Sequence, residues 1–305
     1  MSDSSIEKPD SRSILVVVGA ATRDIAADDP RGWKMGGGVT YSAIAAASVG
    51  VRVRALIGVD EVAATAAELD TLRGAGVDVQ LVQLSSGPVF DNRRTPAGRQ
   101  QFAVAASDQL SVASLPHDWQ APQAALLAPV AGEMGHDWAT AFAPASFVTL
   151  AAQGMLRRLH PGHEVVRLAF EHGPVVHRAD AIALSREDVA AGAPPIRDWT
   201  RPGQHVLVTH GKRGSVELMR TATGLTGRFM PPLPMRKAID PTGAGDTFIA
   251  AWLAARMLVG DGRRALVVAS VMSSLAVLST SLADMPTHDD LCRELVTLRE
   301  SRRGA

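Results

Sequence analysis

Cysteine is nearly missing from this chain: Cys292 is the only one in 305 residues. One thiol cannot make an internal disulfide, so a core must carry the fold, and a reducing compartment is the expected setting. Aromatic residues amount to 4%, with a single tyrosine, Tyr41, which leaves little surface for stacking on a nucleobase. Net charge is absent too. Lys+Arg and Asp+Glu are both 31, so a general nucleic-acid or membrane-surface role has no electrostatic support. One long charge-free run, 265–282, reaches the length of a membrane span. That run holds six hydroxyl residues, Ser270, Ser273, Ser274 and Thr280 among them, and reads as a buried core helix, apolar nearly all round. Residues 1–12 are polar with no apolar segment behind a basic start. A cytoplasmic protein without a signal peptide is expected.

A hydrophobic fraction of 46% against 20% charged is globular composition. The elements alternate. Ile14-Leu15-Val16-Val17-Val18 ends at Gly19 and reads as a strand buried on both faces. A small-residue helix is expected over 38–49, a strand over 51–57, a helix near 61–74 and a short strand over 77–84. Further strands are expected at 124–128, 146–150, 180–184 and 205–209, with helices between them. This alternation predicts an α/β fold, a three-layer α/β/α sandwich on a mainly parallel sheet. Residues 22–35 read as irregular. Residues 88–106, polar and extended about Thr95-Pro96-Ala97-Gly98, read as a hairpin apart from the core. Two such excursions at one end of a sheet suit a lid that keeps water from a reaction.

Three glycine-bearing segments point to chemistry. In Asp240-Pro241-Thr242-Gly243-Ala244-Gly245-Asp246-Thr247-Phe248, a glycine-hinged loop opens an apolar helix. Backbone amides at a helix start attract anions, and Asp246 in the first turn suits a base acting beside a phosphate. The segment is neither a dinucleotide fingerprint nor a Walker A loop. Gly36-Gly37-Gly38 precedes the small-residue helix and lets backbone pass close to a ligand. In Val206-Leu207-Val208-Thr209-His210-Gly211-Lys212-Arg213-Gly214-Ser215, a strand ends in a turn with glycines three apart and resumes as a strand. Such a turn suits a nucleotide or a plain hairpin.

These features, in this order and at these separations, resemble the ribokinase-like carbohydrate kinases, the PfkB family, over 13–299. The resemblance implies one kinase domain with lid segments near 22–35 and 88–106, and flexible tails at 1–12 and 300–305. It implies MgATP as phosphoryl donor and a small carbohydrate or cyclitol as acceptor. Gly243, Ala244 and Gly245 become the anion hole and Asp246 the catalytic base. Asp24, Gly36 and Gly37 fall at the acceptor, and Thr209, Gly211, Gly214 and Thr242 at the nucleotide. Tyr41 stands where many sugar kinases of the family carry Asn. The family's Asn-x-x-Glu motif appears as Ser185-Arg186-Glu187-Asp188, with Asp188 able to hold water on Mg²⁺. Ala128-Pro129-Val130-Ala131-Gly132-Glu133 and Gln153-Gly154-x-x-Arg157 resemble the inositol kinase branch. Glu133, Gln153 and Tyr41 are then expected in the acceptor pocket, with Arg157 facing the transferring phosphate.

Arg93, Arg94 and Arg99 of the hairpin read as solvated, with closure of one over the phosphates as the alternative. His160, His163, His172 and His177 lack the companions of a zinc site. Two rival functions stay open. One is a nucleoside kinase of the same fold, for which Trp33, Phe90 or Phe102 would stack on the base. The other is a non-catalytic sugar-binding regulatory protein. Monovalent-cation assistance and a homodimer paired through the lid also stay open.

Overall fold

The structure, a computed structural model, describes residues 13–95, 98–190, 193, 195–233 and 238–303, with the side chains of 94, 95, 98, 99, 197, 199, 302 and 303 outside that description. The expected tail at 1–12 and the side chains of Arg94 and Arg99 therefore lie outside the described residues.

The chain begins with β1 (Ile14–Ala20), β2 (Thr22–Ile25), β3 (Trp33–Gly36), α1 (Gly38–Val49) and β4 (Arg52–Val59). There follow α2 (Glu68–Gly74), β5 (Asp78–Gln83), β6 (Val89–Thr95), β7 (Gly98–Ala105), β8 (Ala124–Leu127) and β9 (Phe147–Ala151). A two-residue pair, β10 (Arg157–Arg158) and β11 (Val166–Arg167), precedes the five-residue α3 (Pro174–Arg178). Then come β12 (Ala181–Ser185), β13 (His205–Thr209), β14 (Ser215–Thr221) and β15 (Gly224–Met230). The last elements are α4 (Ala244–Val259), α5 (Gly262–Ala276) and α6 (His288–Arg303).

Nine strands form one sheet in the order β15-β14-β13-β12-β9-β8-β1-β4-β5. From β5 to β13 every pairing is parallel, and β14 and β15 add an antiparallel edge. Leu15, Val16, Val17 and Val18 of β1 are fully buried, as an apolar run with cover on both faces requires. Alternate residues feed two cores. Leu15 and Val17 pack with α1, α4 and α5, whereas Val16 and Val18 pack with Trp119, Trp138 and Phe142 on the other face.

The second outer layer is thinner than the alternation predicts. Between β8 and β13 the helices expected there are replaced by short 3-10 turns and the five-residue α3. Prolines 129, 144, 161, 195 and 202 punctuate those connections and limit helix length. Large side chains fill the layer instead, with Trp138 at 1% exposure. The helix expected over 61–74 is likewise split into a 3-10 turn at Ala63–Thr65 and α2. Asp60 accepts from the Ala63 N–H at 2.8 Å and so caps the first piece separately. The charge-free stretch becomes α5 and the turn after it. Ala265, Leu266, Ala269, Val271, Met272 and Ala276 are buried, and among the described residues no helix is long and apolar enough to cross a membrane. Its hydroxyls are used: Ser273 donates to the Ala244 carbonyl at 3.0 Å and Ser279 to that of Asp284 at 2.8 Å.

Residues 22–35, read as irregular, supply two strands. With the 88–106 hairpin they make a four-stranded sheet, β3-β2-β6-β7, beyond the carboxyl end of β1. The outer edge of β7 is covered from within the chain, because Gly162 to Val165 exchange backbone hydrogen bonds with Gln101 and Ala103. α6 continues to Arg303, past the point where a tail was expected.

Candidate active site

The predicted residues gather beyond the carboxyl ends of β1, β8, β9 and β12, where open parallel sheets take ligands. The run of glycines before α1 makes room for two carboxylates. A β-carbon on Gly36 would come within 2.6 Å of Asp24 Oδ2, and one on Gly38 within 2.9 Å of Asp246 Oδ1. One acid arrives from β2, the other from α4.

Gly243 caps α4 in the left-handed conformation, φ 74. A β-carbon there would meet the Tyr41 ring at 2.3 Å, so the single tyrosine packs against the loop before α4. The turn before it is fixed by Asp240, whose Oδ1 accepts from the Thr242 N–H at 2.9 Å and from its hydroxyl at 2.7 Å. The Ala244 N–H makes only a long contact, 3.2 Å, with the Pro241 carbonyl. Backbone amides around a left-handed glycine at a helix start are a donor set that fits a phosphate.

Asp246 stands in the first turn of α4, and its carboxyl is pushed up to about 6. Burial is the main cause, Arg157 works against it, and Asp188 adds to it. The group keeps part of its surface open to the cleft, so it is enclosed yet reachable.

Arg157 is the hub of the site. Its Nε donates to the Val130 carbonyl at 2.5 Å, its Nη1 to Gln101 Oε1 at 3.1 Å, and its guanidinium lies 5.2 Å from the centre of the Phe90 ring. Burial lowers its pKa, while Asp188, Glu133, Asp246 and Asp24 all act to hold the proton. An arginine among four carboxylates that forms a direct ion pair with none of them suits a phosphate that arrives with its own charge. Gly154 brings this segment in: a β-carbon there would sit 2.1 Å from the Pro129 carbonyl oxygen.

Asp188 closes a capping box on a 3-10 turn. Its Oδ2 accepts from the Ser185 N–H at 2.8 Å, while the Ser185 hydroxyl accepts from the Glu187 N–H at 3.2 Å. Ser185 thus keeps Asp188 oriented. Gln153 donates to the other oxygen at 2.9 Å. Among the described residues no group of three or more His, Cys, Asp or Glu is arranged to hold a metal ion. One carboxylate does suit Mg²⁺, which keeps several waters and relies on substrate phosphates. Glu133, expected to face the acceptor, is fully buried, and its oxygens accept from the Val130 and Ala131 N–H groups at 2.5 and 2.8 Å. It shapes the loop that holds Arg157.

A cavity of about 780 Å³ opens between the small sheet and the loop before α4. Asp24, Tyr41, Asn92, Asp240 and Thr242 line it, so Thr242, expected at the nucleotide, shares a cavity with Asp24, expected at the acceptor. Lys34 bonds Asp28 at 2.7 Å, and Arg31 bonds Glu68 at 2.6 Å. Asn92 and Gln101, which sequence reasoning passed over, face each other across β6 and β7. Their signal was the hairpin expected over 88–106, whose two strands pair Asn92 with Gln101. Arg93 is spent on Asp91 at 2.7 Å and on the Phe102 ring.

Thr209 ends β13. Gly211 and Gly214 both have positive φ, and a β-carbon on Gly214 would strike the Met230 carbonyl oxygen at 2.2 Å. The turn between them is a 3-10 turn that folds back into β14. Of the histidines, His172 stacks edge-on to Phe170 at 5.0 Å and lies 5.9 Å from His177.

Residues 180–289 match the family model of the pfkB family carbohydrate kinases. No curated protein sequence matches the chain. Among solved structures, a pyrophosphate-dependent kinase of the ribokinase family, complexed with a pyrophosphate analog and myo-inositol, superposes with a TM-score of 0.72 at 19% identity, over 92% of this chain and 99% of that one. A ribokinase from Thermotoga maritima gives 0.67 at 15% identity, with 92% and 99% covered. A nucleoside kinase from Methanocaldococcus jannaschii gives 0.68 at 16%, with 93% and 98% covered. Residues 180–289, which hold Asp188, the 211–214 turn and the Asp246 loop, are similar in sequence to the pfkB family carbohydrate kinases, and the chain as a whole has the fold of the ribokinase-family structures.

Proposed function

We propose that this protein is a kinase that transfers the γ-phosphoryl group of MgATP to a hydroxyl of a cyclitol, such as myo-inositol, or of a small sugar. One observation carries the reading: a carboxyl raised to about 6 in the first turn of α4, beside a left-handed glycine and within electrostatic reach of Arg157. The kinase domain is taken as residues 13–299, with the four-stranded sheet as its lid, working in the cytoplasm.

In this reading the acceptor hydroxyl donates to Asp246 and the proton moves as the oxygen–phosphorus bond forms. With a pKa of about 6, Asp246 is mostly ionised at pH 7 and a stronger base than an ordinary aspartate. The amides of Gly243, Ala244 and Gly245 receive the charge that builds on the phosphoryl oxygens. Loss of one comparable donor costs roughly 100- to 1,000-fold in rate. Arg157 orients the transferring group from the other side, so the chemistry is positioning and charge stabilisation. Mg²⁺, when bound, neutralises phosphate charge, and Asp188 is the residue that would hold its waters. The 209–214 turn is assigned to the nucleotide.

The acceptor is uncharged and hydroxyl-rich. The cavity is lined by Asp24, Asp28, Glu68 and Asp240, against Lys34 alone. Lys34 is spent on Asp28, so an acceptor that already carries phosphate meets repulsion. The lid aromatics that would stack on a nucleobase are occupied: Trp33 is 9% exposed beneath Arg31, Phe90 is 2% exposed, and Phe102 lies under Arg93. A dimer through the lid would have to use the β3 edge, since β7 is covered.

The test is product release across a panel of myo-inositol, ribose, fructose, fructose phosphate and adenosine. MgATP and magnesium pyrophosphate serve as alternative donors, with and without potassium, and Asp246→Asn is the blank. Turnover on a neutral polyol, reduced at least 1,000-fold by Asp246→Asn while nucleotide binding persists, is the expected result. Near-normal turnover in that variant removes Asp246 from its role. Sugar binding with no turnover under either donor favours a binding protein.

A further inference from the structure

The lid's inner face carries a continuous row of side-chain hydrogen bonds. Arg157 Nη1 donates to Gln101 Oε1 at 3.1 Å, Gln101 Nε2 donates to Asn92 Oδ1 at 2.9 Å, and Asn92 Nδ2 donates to Asp24 Oδ1 at 3.3 Å. Three lid strands supply the members: β7, β6 and β2. Gln101 and Asn92 are directly opposite each other in the β6–β7 ladder, and β6 runs parallel to β2 beside Asp24.

The direction of the row is fixed by its ends. A guanidinium has only donors and an ionised carboxylate only acceptors. Each amide must therefore present oxygen towards Arg157 and nitrogen towards Asp24. Bonds aligned head to tail between a cation and an anion polarise one another, so a change at one end is felt at the other. Two partners of Arg157, the Phe90 ring and Gln101, come from the lid. The third comes from the Val130 carbonyl of the fixed loop. The arginine is thus clasped between lid and core.

We propose that Asn92 and Gln101 are positioning residues that couple acceptor binding at Asp24 to the orientation of Arg157 at the transferring phosphate. An acceptor hydroxyl that engages Asp24 seats β2 and β6. Gln101 then holds Arg157 where the phosphate arrives, and donor binding tightens the acceptor in return, as linkage requires. Without the row, the two sites fill independently.

This inference rests on the kinase reading, and binding measurements separate the two. Calorimetry would give the affinity of the panel's best acceptor (myo-inositol if none turns over) without and with saturating Mg-AMPPNP, a non-hydrolysable ATP analogue. In the wild type the analogue is expected to tighten acceptor binding by about 5- to 30-fold. Gln101→Leu should reduce that to less than about twofold. Gln101→Glu is the decisive variant. It still accepts from Arg157 and keeps its size, but cannot donate to Asn92, so coupling should vanish while the thermal midpoint holds. Restored coupling in Gln101→Glu, or equal coupling in wild type and both variants, overturns the relay and leaves the kinase reading intact. Absence of binding of either ligand to the wild type overturns both.

Discussion

At the scale of single residues the site depends on side chains that are absent as much as on those present. Gly36 and Gly38 leave the spaces into which Asp24 and Asp246 reach. Gly243 supplies both a left-handed turn and the contact with Tyr41. The raised Asp246 sets a pH signature. In the proposed mechanism protonation removes the base, so the rate falls as pH drops through the raised value, and an ordinary aspartate would place that fall near 3.9. The acidic limb of kcat/KM for the acceptor is expected at about 6. Stopped-flow or coupled assays between pH 4.5 and 8 would locate it, and a rate flat down to pH 5 would contradict the assignment. The glycines and Asp246 were legible because they form one contiguous string. Asn92 and Gln101 were not, because their meaning depends on what lies opposite them and on Arg157, distant in sequence.

At the scale of elements, the long apolar strands announced themselves and the short polar ones did not. Neither β2 nor β3 exceeds four residues, and they carry Arg23, Asp24 and Lys34, so no alternation marks them. Charges tie them down instead. Arg23 bonds Asp60 at 2.7 Å. Arg31, in the turn between β2 and β3, bonds Asp29 at 3.0 Å and reaches Glu68 on α2 at 2.6 Å. Glu68 also accepts from the Met35 N–H at 3.3 Å. Arg31, with the help of that backbone, holds the Glu68 carboxyl below the usual carboxylate range against the effect of burial. The latch is half-exposed at Arg31, which limits its worth to about 1 kcal/mol, a factor of about five. Glu68→Gln is therefore expected to raise the acceptor KM about fivefold and leave the donor KM unchanged. Steady-state kinetics with each substrate varied would check this, and an equal rise in both would assign Glu68 to general stability.

At the scale of the whole molecule, the chemistry and a buried charged cluster occupy opposite ends of the sheet. The residues proposed to react follow the carboxyl ends of the parallel strands, whereas His205 is the first residue of β13 and Phe147 the first of β9. There His205 Nδ1 meets Glu217 Oε1 at 2.8 Å, and Arg228 Nη1 donates to Glu217 Oε2 at 3.1 Å. Trp252 of α4 and Phe147 pack against the imidazole, with ring centres 5.8 and 6.3 Å away. Glu217 is 2% exposed. Burial would raise its pKa, but the hydrogen bonds and charges of His205 and Arg228 outweigh it and hold the carboxyl below its ordinary value of 4.5. A carboxylate with a depressed folded pKa contributes stability that is present above the unfolded value and is lost as pH falls through the folded one. The loss therefore begins near pH 4.5 and grows below it. Glu217→Gln is expected to cost about 1–3 kcal/mol at pH 7 and to flatten the fall in thermal midpoint between about pH 5 and 3. Because the cluster lies at the far end of α4 from Asp246, kcat at 25 °C should be unchanged. Thermal unfolding against pH, run beside the acceptor assay, would decide it. A loss of turnover that accompanies the loss of stability would show that α4 transmits strain from this end of the sheet to the loop that precedes Asp246.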